Sequence, residues 1–285
     1  MGAADPTYCE NCGCPAQFAP CFEPARAVRR CLACGAWSYF GTLQESAERL
    51  YDRDYFFGGE YRDYDASAVA QRRNFERKLR ILREAQCEIR AAARVLEVGS
   101  ATGEFLLQLR ELGCVETLGI EVSEYARQRA LDRGFSVLSP DDPELSERLR
   151  QFHPQFIVAW DVWEHLPQPA TLFDGYLASA APDVVVALTT VDAGSAVARL
   201  RGARWRQFHP PTHLNYPTRR SLRSFFETRS LEVVKQRAFG YHRPLLEYAL
   251  AVGIDPGKVL HPRWVTRPVY LNLYDTQLVV ARRRA

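Results

Sequence analysis

Val95-Leu96-Glu97-Val98-Gly99-Ser100-Ala101-Thr102-Gly103 is the stretch that decides the fold of this chain. Aliphatic residues lead into a Gly-x-x-x-Gly turn, and apolar residues at helical spacing follow from Phe105 to Leu112. This pattern predicts a buried strand, a tight loop and the start of a helix. Glycine lets the backbone approach a ligand closely, and the first N–H groups of a helix lack partners within it. The segment is therefore a candidate ligand-binding loop.

A second apolar run ends in a carboxylate: Leu118-Gly119-Ile120 is followed by Glu121. An acid at this place in an α/β sheet can accept hydrogen bonds from both ribose hydroxyls of a nucleoside. The dinucleotide pattern G-x-G-x-x-G and a phosphate loop ending in Gly-Lys-Ser/Thr are both missing, and no lysine directly follows Gly103. The sequence therefore favours an adenosine that carries no phosphates.

A third segment, Trp160-Asp161-Val162-Trp163-Glu164-His165-Leu166, contains a D-x-x-E-H pattern after another apolar run. The loop, Glu121 and this pattern, in this order, resemble class I S-adenosylmethionine (SAM)-dependent methyltransferases. The resemblance implies an α/β fold with a Rossmann-like, seven-stranded sheet, methyltransferase activity and SAM as the cofactor. A Rossmann-like domain that binds no cofactor is the alternative.

The resemblance implies a position around SAM for each matching residue. The glycine-rich loop would hold the methionine part, Glu121 the ribose, and the D-x-x-E-H turn the region of the methyl group. An acid after the third strand would contact the adenine amino group. The alternative is that this acid only caps the N-terminus of the following helix. An aromatic wall suits the cationic methyl donor. The predicted cofactor-binding residues are Glu97, Gly99, Ser100, Gly103, Glu121, Asp141, Asp142, Trp160, Asp161, Tyr51 and Tyr55.

Histidines are the candidate bases. A hydroxyl, amine or acidic C–H acceptor must lose a proton on methylation, and histidine titrates near neutral pH. The sequence offers His165 and His213, with His209 as a third candidate. A structural cap or a packed side chain is the alternative for each.

Paired cysteines near the N-terminus predict a metal site. Cys9-x-x-Cys12 and Cys31-x-x-Cys34 are separated by 18 residues, and a glycine follows each pair. This spacing is typical of four thiolates around a structural Zn²⁺. Cys14 and Cys21 are interpreted as spare thiols, although they leave a redox or partly disulfide-bonded cluster as an alternative.

The pattern Trp205…His213-Leu214-Asn215-Tyr216…Ser221-Leu222 resembles a subset of class I enzymes that often carry an N-terminal zinc ribbon. This subset includes small-molecule and sugar methyltransferases of bacterial biosynthetic pathways, and the resemblance covers about residues 9 to 240. The subset usually has an aromatic residue where this chain has Asn215. A small-molecule biosynthetic intermediate is therefore the implied acceptor.

The chain is divided into three predicted parts: a zinc-ribbon module (1–43), an aromatic lid and helical linker (44–90), and a methyltransferase domain (91–285). Segments 190–217 and 239–272 are predicted acceptor-site inserts, and an aromatic seam is the alternative to the lid. Alternating apolar runs predict a parallel sheet covered by helices. Strands are predicted at 94–99, 116–121, 135–138, 156–160, 183–189, 231–238 and 276–282. Helices are predicted at 66–90, 102–112, 123–133, 143–151, 170–180 and 218–227.

Charge and hydropathy limit the partners. The net charge is only +3, and residues 1–43 carry equal numbers of arginines and carboxylates, so a zinc-loaded ribbon would bind phosphates poorly. Nucleic acid is therefore disfavoured, with an RNA base methyltransferase and a non-catalytic SAM-binding subunit as the rival functions. Apolar runs are too short to span a membrane, and we expect a cytoplasmic monomer or homodimer. An arginine cluster hints at an anionic acceptor: Arg199, Arg201, Arg204 and Arg206.

Overall fold

The structure is a computed structural model, which describes residues 7–22, 27–41, 68–251 and 266–284. Within these ranges, no helix is both long and apolar enough to cross a membrane. Predictions that fall on Tyr51, Tyr55 and most of the lid lie outside the described residues.

Strands and helices alternate along most of the described chain. The strands are β1 (Tyr8–Cys9), β2 (Cys14–Pro15), β3 (Phe18–Pro20), β4 (Val28–Cys31), β5 (Trp37–Tyr39), β6 (Val95–Val98), β7 (Thr117–Ile120), β8 (Val137–Leu138), β9 (Phe156–Trp160), β10 (Val185–Val191), β11 (Asn215–Tyr216), β12 (Leu231–Ala238), β13 (Tyr241–Pro244), β14 (Pro268–Leu271) and β15 (Thr276–Arg283). The helices are α1 (Ala68–Glu84), α2 (Glu104–Glu111), α3 (Glu124–Asp132), α4 (Leu145–Phe152), α5 (Pro169–Ala178), α6 (Ala196–Arg201), α7 (Arg219–Glu227) and α8 (Leu245–Ala251).

Seven of these strands form one sheet in the order β12-β15-β10-β9-β6-β7-β8. Neighbouring strands from β8 to β10 are parallel, and β15 runs antiparallel to both β10 and β12. Central strands such as β9 and β10 are buried along their whole length, because helices cover both faces of the sheet. The predicted seven-stranded Rossmann-like α/β fold is confirmed.

The apolar core lies on both faces of this sheet. One face packs α5 and α7 onto the sheet, with Trp163 and Phe225 among its fully buried rings. The other face packs α1 and α2 through residues such as Leu82 and Phe105. Helix α1 ends at Glu84, six residues before the predicted end at 90, because Gln86 adopts a left-handed φ of 58° that stops a helix.

A smaller sheet has the order β11-β5-β4-β3, with β3, β4 and β5 drawn from the cysteine-rich segment. Its fourth strand, β11, lies within segment 190–217 and pairs antiparallel with β5 through Asn215–Ser38 and Tyr216–Trp37. Aromatic rings fill the space beneath it, where Trp37 contacts Trp205 and Phe208 edge-on. The cysteine-rich segment therefore shares both a sheet and a core with the chain that follows β10.

Candidate cofactor and acceptor site

A cavity of about 500 Å³ opens at the carboxyl ends of β6, β7 and β9. Its lining also includes residues of α1, of segment 207–213 and of β13. Ligands of open α/β sheets bind at this edge, and the volume suits a small molecule. Seven of the residues predicted to bind the cofactor line this cavity: Glu97, Gly99, Ser100, Glu121, Asp141, Trp160 and Asp161.

The glycine-rich loop follows β6 and borders the cavity. Gly99 and Gly103 have φ values of +71° and +84°, which residues with side chains rarely adopt. A Cβ on Gly99 would lie 2.4 Å from a methyl group of Val162, and one on Gly103 would lie 3.0 Å from the Phe135 ring. Glycine at 99 therefore allows the loop to lie directly against the turn after β9.

Glu121, at the end of β7, is held by the backbone of the neighbouring loops. Its carboxylate accepts a hydrogen bond from Ala101 N at 2.8 Å and another from Ser123 N at 2.9 Å. Burial raises the pKa of Glu121, and these backbone hydrogen bonds oppose that shift. A carboxylate offers about four lone-pair positions, so each oxygen can accept one further hydrogen bond. The arrangement suits a vicinal diol such as a ribose.

Glu97, Ser100 and Trp160 line the cavity, and each has a buried polar atom that makes no hydrogen bond with any residue the structure describes. A buried polar group without a partner costs free energy, so a polar ligand that satisfies these atoms would bind favourably. The residues predicted to hold SAM thus fit a polar cofactor, although their individual contacts stay predictions.

An ion pair between the buried Lys78 and the half-buried Asp161 lies beside these atoms. Lys78 on α1 places its Nζ 3.7 Å from Asp161 Oδ2 and 4.7 Å from the centre of the Trp160 ring. Asp161 also accepts a hydrogen bond from the Tyr241 hydroxyl. Burial lowers the pKa of Lys78 and raises that of Glu97, and each charge opposes the other's shift.

Lys78 and Tyr241 are not among the predicted site residues, because Lys78 lies in the predicted helical linker and Tyr241 lies in segment 239–272, which is predicted only as an acceptor-site insert. One signal was present in the sequence. The chain has three lysines among its many arginines, and one of them occurs in the amphipathic helix that precedes the glycine-rich loop.

The two acids after β8 have different surroundings. Asp141 belongs to the cavity lining, whereas the Asp142 carboxylate accepts a hydrogen bond from Glu144 N at 2.8 Å. This bond at the start of α4 is the one expected of a turn or cap residue. Asp141 is therefore the better placed of the pair for a ligand contact.

The three candidate histidines lie in one stack. The ring centres of His165 and His213 are 4.6 Å apart with the rings edge-on, and those of His213 and His209 are 3.8 Å apart with the rings tilted by 40°. Residue 165 follows β9, whereas 209 and 213 lie in the segment before β11, so the fold brings together distant parts of the chain. All three residues line the cavity.

Backbone carbonyls fix the tautomers of two of these rings. His165 Nδ1 lies 2.9 Å from Thr212 O, and His213 Nδ1 lies 2.8 Å from Gln207 O. A carbonyl only accepts, so Nδ1 donates in both rings and Nε2 carries the lone pair. Burial lowers the pKa of His165 to about 4 and lowers that of His213 well below its usual value. Both rings are therefore neutral at pH 7, and the same burial makes each a weaker base than an imidazole in water.

Glu164 completes this cluster, although the sequence motif assigned it no role. Its carboxylate accepts a hydrogen bond from Thr190 Oγ1 at 2.7 Å and lies within 4.8 Å of nitrogen atoms of both His165 and His213. Burial, helped by the charge of Asp161, raises the pKa of Glu164 to about 8. Such a set can hold a cation or move a proton. The raised pKa leaves a proton on Glu164 near neutral pH, which favours proton transfer.

The four cysteines of the predicted metal site converge. The Sγ atoms of Cys9, Cys12, Cys31 and Cys34 all lie within 4.8 Å of one another, and the four side chains are buried. Cys14 contacts Cys12 O and Ser224 Oγ instead. Four thiols at this separation fit the tetrahedral donor set of a structural Zn²⁺.

The arginine cluster is not part of the described cavity lining. Arg206 forms a bidentate pair with the buried carboxylate of Asp275, which also accepts a hydrogen bond from Trp205 Nε1. This arginine therefore neutralises a buried charge at the start of β15. The geometry gives the cluster no direct contact with a ligand in the cavity.

The fold and the cavity at this edge of its sheet are those expected of a SAM-dependent methyltransferase. The chain belongs to the family described as "Methyltransferase domain", whose family model matches residues 68–236. No curated protein sequence matches the chain. The family of the chain is therefore shown by the family model, whereas solved structures show which proteins have a similar fold.

Three solved structures illustrate that likeness. A possible histamine N-methyltransferase from Thermotoga maritima is 14% identical, with a TM-score of 0.50, over 81% of this chain and 98% of that one. A SAM-dependent methyltransferase from Archaeoglobus fulgidus is 19% identical, with a TM-score of 0.51, over 81% and 100% of the two chains. A putative methyltransferase from Bacillus halodurans C-125 is 11% identical, with a TM-score of 0.52, over 74% and 99%. At these identities the likeness concerns the fold alone.

Proposed function

We propose that the protein transfers the methyl group of SAM to a small biosynthetic intermediate, such as a sugar or natural-product precursor, and that a histidine of the stack takes the acceptor's proton. The observation that carries this proposal is the stack itself, in which neutral imidazoles line the cavity near the predicted methyl-group region. Bound SAM supplies an electrophilic methyl group on a sulfonium. The residues of the chain then have to orient the reactants and accept one proton.

The cofactor half would be formed by the loop after β6 and by Glu121. Gly99 lines the cavity and would lie beside the methionine part, Gly103 closes the loop against Phe135, and Glu121 would accept from the ribose with the lone pairs that Ala101 N and Ser123 N leave available. Trp160 and Asp161 would border the methyl group. Fixed positioning of this kind is the main requirement of an in-line displacement, and it can supply several kcal/mol.

The acceptor half would be formed by the histidines and Glu164. His165 and His213 present Nε2 lone pairs because their Nδ1 atoms donate to carbonyls, and His209 stacks on His213 as the third candidate. Glu164, which carries a proton near neutral pH, lies 4.8 Å or less from a nitrogen atom of each imidazole and can exchange that proton with them. The proposed base is thus a group of side chains, with His165 and His213 as its first members.

The charge of the cavity favours a neutral acceptor. Its described lining carries more carboxylates than cations, and its two cations, Lys78 and Arg243, lie near Asp161 and Glu247 respectively. A phosphorylated acceptor would be repelled by such a lining. The same argument disfavours RNA, in line with the balanced charge of residues 1–43.

Cys9, Cys12, Cys31 and Cys34 are proposed to hold one structural Zn²⁺. Four buried thiols leave no ligand position for water, so the metal would stabilise the fold of the ribbon and would not activate a substrate. The metal would add to the stability that the ribbon gains from the aromatic core of Trp37, Trp205 and Phe208.

Transfer of a radiolabelled SAM methyl group tests the proposed function. Total RNA and a small-molecule extract of the source organism serve as acceptors, with Glu121→Ala as the inactive control and the exposed Glu116→Gln as the matched neutral control. We expect label in the extract with the wild type and with Glu116→Gln. Label in RNA would contradict the charge argument, and binding of S-adenosylhomocysteine (SAH) without any transfer would identify a non-catalytic subunit.

A further inference from the structure

Asn11 is a buried residue of the first cysteine knuckle that is not among the four predicted ligands. It lies between Cys9 and Cys12 and is fully shielded from solvent. Its Nδ2 donates to Ser38 Oγ at 2.9 Å, to Asn215 Oδ1 at 3.0 Å and to Trp37 O at 3.3 Å. Its Oδ1 accepts from Trp163 Nε1 at 3.1 Å. Both ends of the amide are therefore used, and two of its partners lie outside the ribbon.

Those two outside partners lie beside the proposed acceptor half. Trp163 begins the short 3₁₀ turn Trp163–His165, which carries Glu164. Asn215 lies two residues after His213, and its Nδ2 donates to Leu166 O at 2.7 Å, directly behind the same turn. Asn11 thus contacts the start of the turn through Trp163 and its end through Asn215.

Backbone contacts strengthen this arrangement from both sides. Leu214 N donates to Glu164 O at 2.7 Å, so the turn and the segment that carries His213 are joined directly. Tyr39 N donates to Leu214 O at 2.8 Å, and Thr218 Oγ1 donates to Cys34 O at 3.0 Å, which ties that segment to the ribbon. The ribbon therefore supports the acceptor half through bonds to atoms next to the histidines.

We propose that Asn11 is a positioning residue for methyl transfer: through Trp163 and Asn215 it fixes the placement of Glu164, His165 and His213 relative to one another. The ribbon is then a structural component of the acceptor half, and its first knuckle contributes a non-ligand side chain to the geometry of the site. This inference rests on the proposed function of the histidine stack. A buried amide with satisfied bonds at both ends is suited to such a role, because movement of the turn would leave several polar groups unpaired.

The test compares Asn11→Ala with Glu10→Ala in the full-length protein. Glu10 is the neighbouring knuckle residue, and its carboxylate accepts from Thr171 N and Thr171 Oγ1, both at 3.1 Å, so it also joins the ribbon to the larger sheet domain. Its contact lies on α5, away from the turn. Any effect common to both variants therefore reports a general loss of ribbon contacts.

Four quantities are measured: zinc per chain, the dissociation constant of SAH, the imidazole nitrogen resonances of the SAH-bound protein, and the rate of label transfer to the small-molecule extract. For Asn11→Ala we expect unchanged zinc, SAH affinity within about twofold, and loss of the Nδ1-protonated signature of His165 and His213. The transfer rate should fall at least tenfold. Glu10→Ala should leave both the resonances and the rate as in the wild type.

Wild-type histidine resonances and a wild-type rate in Asn11→Ala would overturn the positioning role. If the wild type itself transfers no label, the proposed function fails, and the resonances still decide whether Asn11 fixes the rings. Trp163→Phe removes the indole N–H but keeps an aromatic ring. It provides the same comparison should Asn11→Ala not fold.

Discussion

Replacing Glu121 by glutamine should weaken cofactor binding far more than it weakens the fold. The carboxylate now accepts from Ala101 N and Ser123 N with one oxygen each. Glutamine keeps the size of the side chain but has one oxygen, so its NH₂ group must face one of these two N–H donors. The substitution therefore removes the charge and leaves one oxygen to serve both the backbone and the ribose.

The size of the effect follows from the hydrogen bonds that are lost. Bonds to a charged group contribute about 1.5–3 kcal/mol each, and neutral ones roughly 1 kcal/mol. Glu121→Gln loses one hydrogen bond to the ribose and turns the other from a charged into a neutral hydrogen bond. Together these changes should cost about 2–4 kcal/mol of binding free energy. Since about 1.4 kcal/mol is a factor of ten, the dissociation constant should rise roughly 30- to 1000-fold.

Isothermal titration with SAH measures this change, because SAH lacks the sulfonium charge and so isolates the hydrogen-bond contribution. Glu104→Gln is the matched control: Glu104 also lines the cavity, but its carboxylate pairs with Arg133. We expect SAH affinity within about threefold of the wild type for this control. A Glu121→Gln protein that binds SAH as tightly as the control would refute the assignment of Glu121 to the ribose.

Three further predictions concern stability and metal content. Gly99→Ala should lower the free energy of unfolding, measured in urea, by about 2–4 kcal/mol, because φ is +71° and the new Cβ would lie 2.4 Å from Val162. Adding Val162→Ala should relieve the clash but not the backbone strain. A loss below about 1 kcal/mol for Gly99→Ala would contradict the prediction. The folded-state pKa of His165 is about 4, so the unfolded chain binds more protons between pH 6.5 and 4 and stability falls as the pH is lowered through this window; His165→Gln should remove about 3 kcal/mol of that fall, and an unchanged pH profile of urea unfolding would be inconsistent with a neutral buried ring. Cys9→Ser should abolish the binding of about one zinc ion per chain, measured by elemental analysis, whereas Cys14→Ser should keep it; equal zinc in both would exclude the proposed ligand set.

The elements of the large sheet could be predicted because their signals are local. Alternation and helical spacing located its strands and the helices α2 to α5 and α7 to within two residues of the observed bounds. The position of the ligand-binding edge could also be predicted, since Glu121 and Asp161 each directly follow an apolar run that forms a strand. Side chains that act at the ends of parallel strands are therefore accessible to sequence reasoning.

Contacts between distant segments were not accessible in the same way. The edge-on contact of His165 with His213 and the ion pair of Lys78 with Asp161 depend on how separate elements pack, and no periodicity encodes that packing. Asn215 was noted only as a departure from an aromatic pattern. The structure explains this residue, because an aromatic ring could not form its hydrogen bonds to Asn11, Ser38 and Leu166.

The pairing of β11 with β5 also bears on the order in which the molecule can assemble. Asn215 follows Ser38, its partner in the sheet, by 177 residues. During synthesis the edge of β5 must therefore stay unpaired while the strands β6 to β10 emerge, and contacts of such sequence separation form slowly. An open strand edge invites pairing with another chain. Prompt folding of the large sheet, which delivers β11 to that edge, thus also protects the nascent protein from self-association.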